Sequence, residues 1–251
     1  MNEPMKNLEV LEARLGHVFT DKDIIAQALT HRSYLNEHAE FTQSHNERLE
    51  FLGDAVLELA VTKHLYMTYA NAEGELTNWR AALVNAKTLA GIATQLQFED
   101  FLLLSKGEAR DKNSKARMYI LANAIEAIIG AIYLDGGMDA AEKFVQAHIL
   151  NHLPFILKNE LYVDPKSKLQ ELSQEMMGVT PVYRVLAETG PDHNKEFTVG
   201  VFLGKEMVTI GRGSSKQEAQ VAAAQSCLEV KGWNEKAPEQ GGDSTGDITK
   251  V

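Results

Sequence analysis

His45-Asn46-Glu47-Arg48-Leu49-Glu50-Phe51-Leu52-Gly53-Asp54-Ala55-Val56-Leu57 threads acids through an otherwise apolar helix. Glu47, Glu50, Asp54 and Glu58 follow one another at spacings of three, four and four, which stacks them on one helix face while leucines, valine and alanines cover the rest. That face carries no matching Lys or Arg. Stacked carboxylates at this spacing repel one another unless a cation sits among them or water screens them. Two readings follow, a metal site and a solvated stripe on an amphipathic surface helix, and this segment alone supports both equally.

A second segment shifts the balance. Across residues 118–135 nearly every position is apolar, yet Asn123 and Glu126 interrupt the run three residues apart and so share a face. A helix apolar all round is a buried helix, and an ionised carboxylate there is costly unless it is paired, hydrogen-bonded or bound to metal. If the two helices pack together, Glu50 and Asp54 meet Asn123 and Glu126 in an oxygen-rich cluster of the kind Mg²⁺ or Mn²⁺ prefers. A salt bridge from Glu126 to Arg48 or Arg80 is the competing explanation.

The block at residues 46–57 is similar to the signature motif of bacterial ribonuclease III, and Ala28-Leu29-Thr30-His31-Arg32-Ser33-Tyr34 resembles that family's Leu-Thr-His-x-Ser-Tyr segment. Glu73-Gly74-Glu75-Leu76-Thr77 and residues 120–135 fall in the family's order, so the resemblance covers almost the whole chain. It implies an all-α endonuclease domain followed by a small α+β double-stranded RNA-binding domain. The implied activity is Mg²⁺-dependent cleavage of both strands of double-stranded RNA, with Mn²⁺ able to substitute, leaving 5′-phosphates, 3′-hydroxyls and short 3′ overhangs. Ribosomal RNA precursors and other structured RNAs are the implied substrates. The family's metal and catalytic positions map onto Glu50, Asp54, Asn123 and Glu126, with Asp54 and Glu126 catalytic and Glu50, Asn123 and Glu126 on the metal. Glu47 and Glu73 map onto supporting acids. The family acts as a homodimer, which implies that Phe51 contacts a second subunit, against a default of core packing.

One of those positions departs from the pattern. Where the family has Asp, this chain has Asn123. An amide can offer a carbonyl oxygen to a hard cation but contributes no charge and cannot act as a base. Weakened cleavage is one consequence; a double-stranded RNA-binding regulator that no longer cleaves is the alternative. Retained Glu50, Asp54 and Glu126 favour the enzyme, because a pure binder has no use for a buried acid cluster.

The chain has 251 residues, 44% of them hydrophobic, enough for two domains with real cores. Cys227 is the one cysteine, which excludes a disulfide framework and a cysteine-based zinc site and suits a reducing cytoplasm. His31, His45 and His64 have no ligand-spaced Cys or His nearby, so capping, packing or surface roles outweigh zinc. The N-terminus lacks the apolar core of a signal peptide, and no 18-residue uncharged apolar run reads as a membrane span, so no membrane partner is expected. The net charge of −10 speaks against a general nucleic-acid binder. Residues 1–163 hold 15 basic and 22 acidic side chains, however, so most of the acidity lies in the half with the proposed metal site, where bound cations invert the local sign.

Periodicity and breakers predict helices over 8–15, 21–29, 46–69, 77–95, 116–134 and 139–157, with Thr20 as a cap and Gly16, Gly74 and Gly136-Gly137 as punctuation. Residues 106–115 read as a polar loop, a solvated linker or a phosphate contact. The endonuclease domain is placed at 1–158 and a linker at 159–164, with Asp164-Pro165 opening a new helix. Residues 165–231 form a different unit: helix 166–177, strands 182–188, 196–203 and 206–210, and helix 214–230. This α-β-β-β-α order also resembles a double-stranded RNA-binding domain.

Three stretches of that unit match the family's contact regions. Gln170 and Gln174 sit four apart and could reach 2′-hydroxyls, though two surface glutamines are the plainer reading. The turn-rich loop 190–195 carries His193 and Lys195. Ser215 and Lys216 open the last helix, whose free N–H groups favour a phosphate. A second basic residue expected after Lys216 is Gln217. With 7 basic and 9 acidic side chains over 164–230, this unit is expected to bind by shape more than by charge. The tail 232–251 is polar and Gly-rich, the composition of a disordered segment.

Overall fold

The computed structural model describes residues 8–112, 114–191 and 195–233. The first unit ends at Tyr162, and its regular elements among the described residues are helices and a single isolated β-bridge between Thr30 and Leu103. Its helices are α1 (Leu8–Leu15), α2 (Lys22–Leu29), α3 (Arg32–Leu35), α4 (Glu47–Thr68), α5 (Glu73–Val84), α6 (Ala86–Gln95), α7 (Lys106–Arg110), α8 (Lys115–His148) and α9 (Leu153–Lys158). Short 3₁₀ turns lie at Phe98–Phe101 and Leu150–His152.

Two facing glycines decide how α4 meets α8. A Cβ on Gly53 would stand 1.7 Å from the carbonyl oxygen of Glu126, and one on Gly130 would stand 2.3 Å from the carbonyl oxygen of Leu49. The helices therefore touch backbone to backbone, an approach only residues without a side chain allow. Around this crossing Ile125, Ile128, Ile129 and Ile132 of α8 and Leu57 and Val61 of α4 are wholly buried. By length and composition alone the stretch Lys115–Lys158 could cross a membrane. Gly137, at φ +75°, interrupts it, and its isoleucines fill the core.

Several sequence expectations are corrected here. The span 77–95 is two helices, because Asn85 adopts an extended backbone (φ −72°, ψ 155°), accepts from Thr88 N–H at 2.9 Å and donates to the Ala82 carbonyl at 2.9 Å. Gly74 lies inside α5 rather than before it. Asp21, not Thr20, caps α2, accepting from Asp23 N–H at 2.9 Å. The polar stretch after Ser105 forms α7, because the Ser105 hydroxyl accepts from Glu108 N–H. Asp164 caps the next helix ahead of Pro165, as its position predicts.

The second unit begins at Val163. It comprises α10 (Pro165–Met177), an antiparallel sheet in the order β1 (Pro181–Thr189), β2 (Glu196–Leu203) and β3 (Glu206–Gly213), then α11 (Lys216–Val230). Strand β3 runs three residues beyond its expected end, so α11 starts at Lys216 rather than 214. Alternation in β2 turns Val199, Val201 and Leu203 inward, where Leu169 of α10 and Ala223, Ala224, Cys227 and Leu228 of α11 complete the core. A Cβ on Gly211 would stand 2.1 Å from the Ala223 nitrogen, so the Ala-rich face of α11 lies directly against the β3 backbone. His193 and most of the tail, from residue 234 onward, fall outside the described residues.

Candidate active site

The glycine crossing brings the acids together. Glu126 lies next to the Gly53 contact on α8, and Glu50 and Asp54 flank Gly53 on α4. Burial, then the charges of Asp54 and Glu50, push the Glu126 carboxyl up to about 7. Burial and the Glu47 carboxylate raise the Glu50 carboxyl above the ordinary range, and the amide of Asn123 opposes that rise. The four residues the sequence grouped thus form one electrostatic neighbourhood. No basic side chain among the described residues pairs with Glu50, Asp54 or Glu126.

The ends of the acidic stripe behave differently. Glu47 lies 3.3 Å from Arg32 and 3.7 Å from His45, and Glu58 lies 3.5 Å from Arg80, which also donates to the Thr62 hydroxyl at 3.0 Å. The face therefore has basic partners after all, supplied by other elements, and they neutralise its two ends while leaving its middle uncompensated. The alternative bridge from Arg80 to Glu126 does not form. Arg32 is the partner that spacing could not reveal, since it comes from α3. Gly53 and Gly130 did leave a signal: a glycine inside an apolar helix costs about 1 kcal/mol against alanine and usually marks a close approach.

The acids fit a hard cation in an open arrangement rather than a cage. Among the described residues no three His, Cys, Asp or Glu side chains converge tightly enough to enclose an ion unaided. Mg²⁺ keeps several waters and needs only one or two carboxylates, so the half-buried, mutually repelling Glu50 and Glu126 with the neutral oxygen of Asn123 match its demands. Glu73 is not in this group. It lines a cavity of about 650 Å³ with Tyr66, Tyr69 and Arg80. Tyr66 stands twelve residues beyond Asp54, roughly 18 Å along α4.

Phe51 is 81% exposed and thus no core residue. His31 caps α3 through Nδ1, and burial holds its imidazole below the usual pKa. In the second unit Gln170 and Gln174 are both exposed on α10. Lys195 pairs with Glu188 at 3.0 Å. The Ser215 hydroxyl caps α11 by accepting from Glu218 N–H at 3.2 Å, and the Lys216 ammonium lies 5.7 Å over the Phe197 ring.

Residues 21–153 match the family model described as Ribonuclease-III-like, and residues 165–231 match the Double-stranded RNA binding motif. Ribonuclease 3 of Campylobacter jejuni subsp. jejuni serotype O:2 is 44% identical over 230 residues, which is 91% of this chain and 99% of that protein. Ribonuclease 3 of Carboxydothermus hydrogenoformans is 43% identical over 226 residues, 90% of this chain and 96% of that protein. A solved nuclease domain of ribonuclease III from Campylobacter jejuni, reported with structural flexibility in its dimer-forming region, aligns with a TM-score of 0.53 at 43% identity over 59% of this chain and 99% of its own. Fold and site thus define a helical nuclease-type unit joined to a double-stranded RNA-binding unit. The chain belongs to the ribonuclease III family.

Proposed function

We propose that the protein is an endoribonuclease that hydrolyses phosphodiester bonds in double-stranded RNA, using Mg²⁺ with Mn²⁺ able to replace it, and leaves 5′-phosphate and 3′-hydroxyl ends. The observation that carries this reading is the uncompensated group of Glu50, Asp54 and Glu126 at a helix crossing, in a chain that also holds a double-stranded RNA binding motif. Glu50, Glu126 and the Asn123 carbonyl oxygen hold the cation. When bound, it supplies positive charge at the scissile phosphate and a nucleophilic water at neutral pH. Asp54 and Glu126 act beside the reacting centre. Glu47, tied to Arg32, supports the near end of the stripe, and Glu73 serves RNA from its separate cavity.

The substrates proposed are ribosomal RNA precursors and other structured RNAs, including messenger RNA, in the cytoplasm. Residues 1–158 form the nuclease domain, 159–164 the linker and 165–231 the RNA-binding domain. Gln170, Gln174, His193, Lys195, Ser215 and Lys216 contact the duplex, the glutamines at 2′-hydroxyls and Lys216 at phosphate. Incubating the protein with a long RNA duplex in Mg²⁺ tests the activity. Short 5′-phosphorylated fragments support it; an intact duplex bound by the protein supports the second reading, a non-cleaving RNA-binding regulator, which the neutral Asn123 favours.

Asn123→Asp separates weakened from lost activity. A restored charge tightens cation binding, so cleavage at low Mg²⁺ is expected to rise about tenfold, the effect of ~1.4 kcal/mol on the barrier. No gain at any Mg²⁺ concentration would mean that Asn123 is already a competent ligand or none at all.

The exposed Phe51 supports a homodimer. Burying such a ring contributes ~2 kcal/mol, and a two-fold interface uses it twice, so Phe51→Ala is expected to raise the dimer dissociation constant about a thousandfold. Sedimentation equilibrium reads the change, and an unaltered dimer would place Phe51 outside the interface.

A further inference from the structure

Asn46 stands at the N-cap position of α4 yet does not cap it, since its side chain accepts no hydrogen bond from the first turn. It is 3% exposed and points back into the fold. Its Nδ2 donates to the Ala28 carbonyl at 3.2 Å and its backbone N–H to the Thr30 carbonyl at 2.9 Å. Beside it, the His45 carbonyl accepts from Gln27 Nε2 at 3.2 Å. The strip that receives these bonds is tied on its far side too. His31 N–H donates to the Leu103 carbonyl at 3.0 Å, and Leu103 N–H donates to the Leu29 carbonyl at 2.9 Å.

Helix α4 is thus held by Asn46 at its start and by the crossing with α8, where Leu49 meets Gly130 and Gly53 meets Glu126. Asn46 and Gly53 are seven residues, about 10 Å, apart along the axis. Glu47 and Glu50 lie between them, whereas Asp54 follows the second. Without the hold at Asn46, the first turn can fray ahead of the Leu49 contact, shifting Glu47 and letting Glu50, directly after Leu49, turn away from Glu126 while Asp54 and Glu126 stay in place. An ordinary capping side chain would satisfy the helix N–H groups but would leave this tether unmade.

We propose that Asn46 is a positioning residue that holds Glu50 in register with Glu126, through the Ala28 carbonyl rather than through any contact with metal or RNA. The proposal rests on the reading of Glu50 and Glu126 as cation ligands. Removing a group that supports a metal ligand typically weakens metal affinity ten- to a hundredfold.

Mn²⁺ titration of the full chain, followed by electron paramagnetic resonance, tests this without relying on turnover. Asn46→Ser offers a helix cap, which Asn46 itself does not make, but is too short to reach Ala28, and Asn46→Ala offers neither. Asn46→Ser is expected to raise the Mn²⁺ dissociation constant about tenfold, with the melting temperature in EDTA within a few degrees of the parent and duplex affinity in EDTA unchanged. The Mg²⁺ concentration for half-maximal cleavage is expected to rise in step, with kcat recovered at saturating Mg²⁺. Folded Asn46→Ser and Asn46→Ala proteins that bind Mn²⁺ as tightly as the parent would overturn the proposal. So would an Asn46→Ser protein that is unfolded at assay temperature, since the residue would then be structural only. Glu126→Gln is the control: if it too binds Mn²⁺ like the parent, the cation-site reading fails, and Asn46 has nothing to position.

Discussion

Glu126→Gln is expected to abolish cleavage, lowering the rate about a thousandfold or more, while duplex affinity in EDTA stays at the parental value. The substitution keeps the shape of the side chain and removes one of the charges that hold the cation, whose transition-state contribution is several kcal/mol, ~4 kcal/mol for a thousandfold change. The same change is expected to stabilise the metal-free protein at alkaline pH. Glu126 has its carboxyl pushed up to about 7 in the fold, against an ordinary value of 4.5. Below the ordinary value the group is protonated in both folded and unfolded chains and favours neither. As pH rises toward 7, the unfolded chain releases this proton first, so folding loses stability, by at most about 3 kcal/mol above pH 7. Glutamine carries no such penalty. Thermal melts in EDTA should therefore show Glu126→Gln above the parent at pH 8 and level with it at pH 4.5, with Mg²⁺ narrowing the gap at pH 8. Full cleavage by this variant would sink the assignment of the site.

Gly53→Ala should be nearly as damaging, by a different route. Its new methyl would stand 1.7 Å from the Glu126 carbonyl oxygen and 2.6 Å from the carbonyl carbon, both backbone atoms that cannot rotate away. The helices must part by more than an ångström to restore van der Waals distances. Overpacking of this kind costs about 3 kcal/mol, or roughly 10 °C in melting temperature for a unit of this size. A displacement of an ångström at reacting groups costs about a hundredfold in rate, so cleavage should fall even where the variant is folded. An unchanged melting temperature would show that the helices do not meet as closely as the glycines imply. In an isolated helix the same substitution would help, because alanine is the better helix former.

The site was more legible in the sequence than its surroundings. Spacing alone put Glu50 and Asp54 on one face and Asn123 with Glu126 on another, because helix geometry converts position directly into direction. The apolar run around Glu126 announced burial, and the raised carboxyl is the physical result. What spacing could not show was which charges come from elsewhere. Arg32 and Arg80 reach Glu47 and Glu58 from α3 and α5, and no local pattern on α4 encodes those partners. Glu73 illustrates the same limit, since its place in the motif order says nothing of its distance from Asp54.

The misplaced boundaries share a cause. Asn85 sits in a good helical pattern, yet its side chain does better bridging the Ala82 carbonyl and the Thr88 N–H, a competition that composition does not resolve. Gly74 looked like punctuation because glycine disfavours helices, but Glu73 and Glu75 in the first turn of α5 suit its positive end and offset that cost. Residues 106–110 are polar enough for a loop, and only the Ser105 cap turns them into a helical turn. In the second unit the α-β-β-β-α order was legible throughout, since strand alternation and the Asp164-Pro165 start are both local signals.

The contact between Gly211 and the alanines of α11 bears on the thermodynamics of recognition. With the strand backbone laid directly on the helix, the second unit has few long, rotatable side chains at this seam. Ser215 and Lys216 begin the same helix whose Ala219 and Ala223 are locked against the sheet. The backbone that carries those two residues is thus settled when the unit folds, not when a duplex arrives. Association then forfeits little conformational freedom, and a module with no excess of positive charge can still bind a regular helix of RNA by presenting a rigid, matching outline.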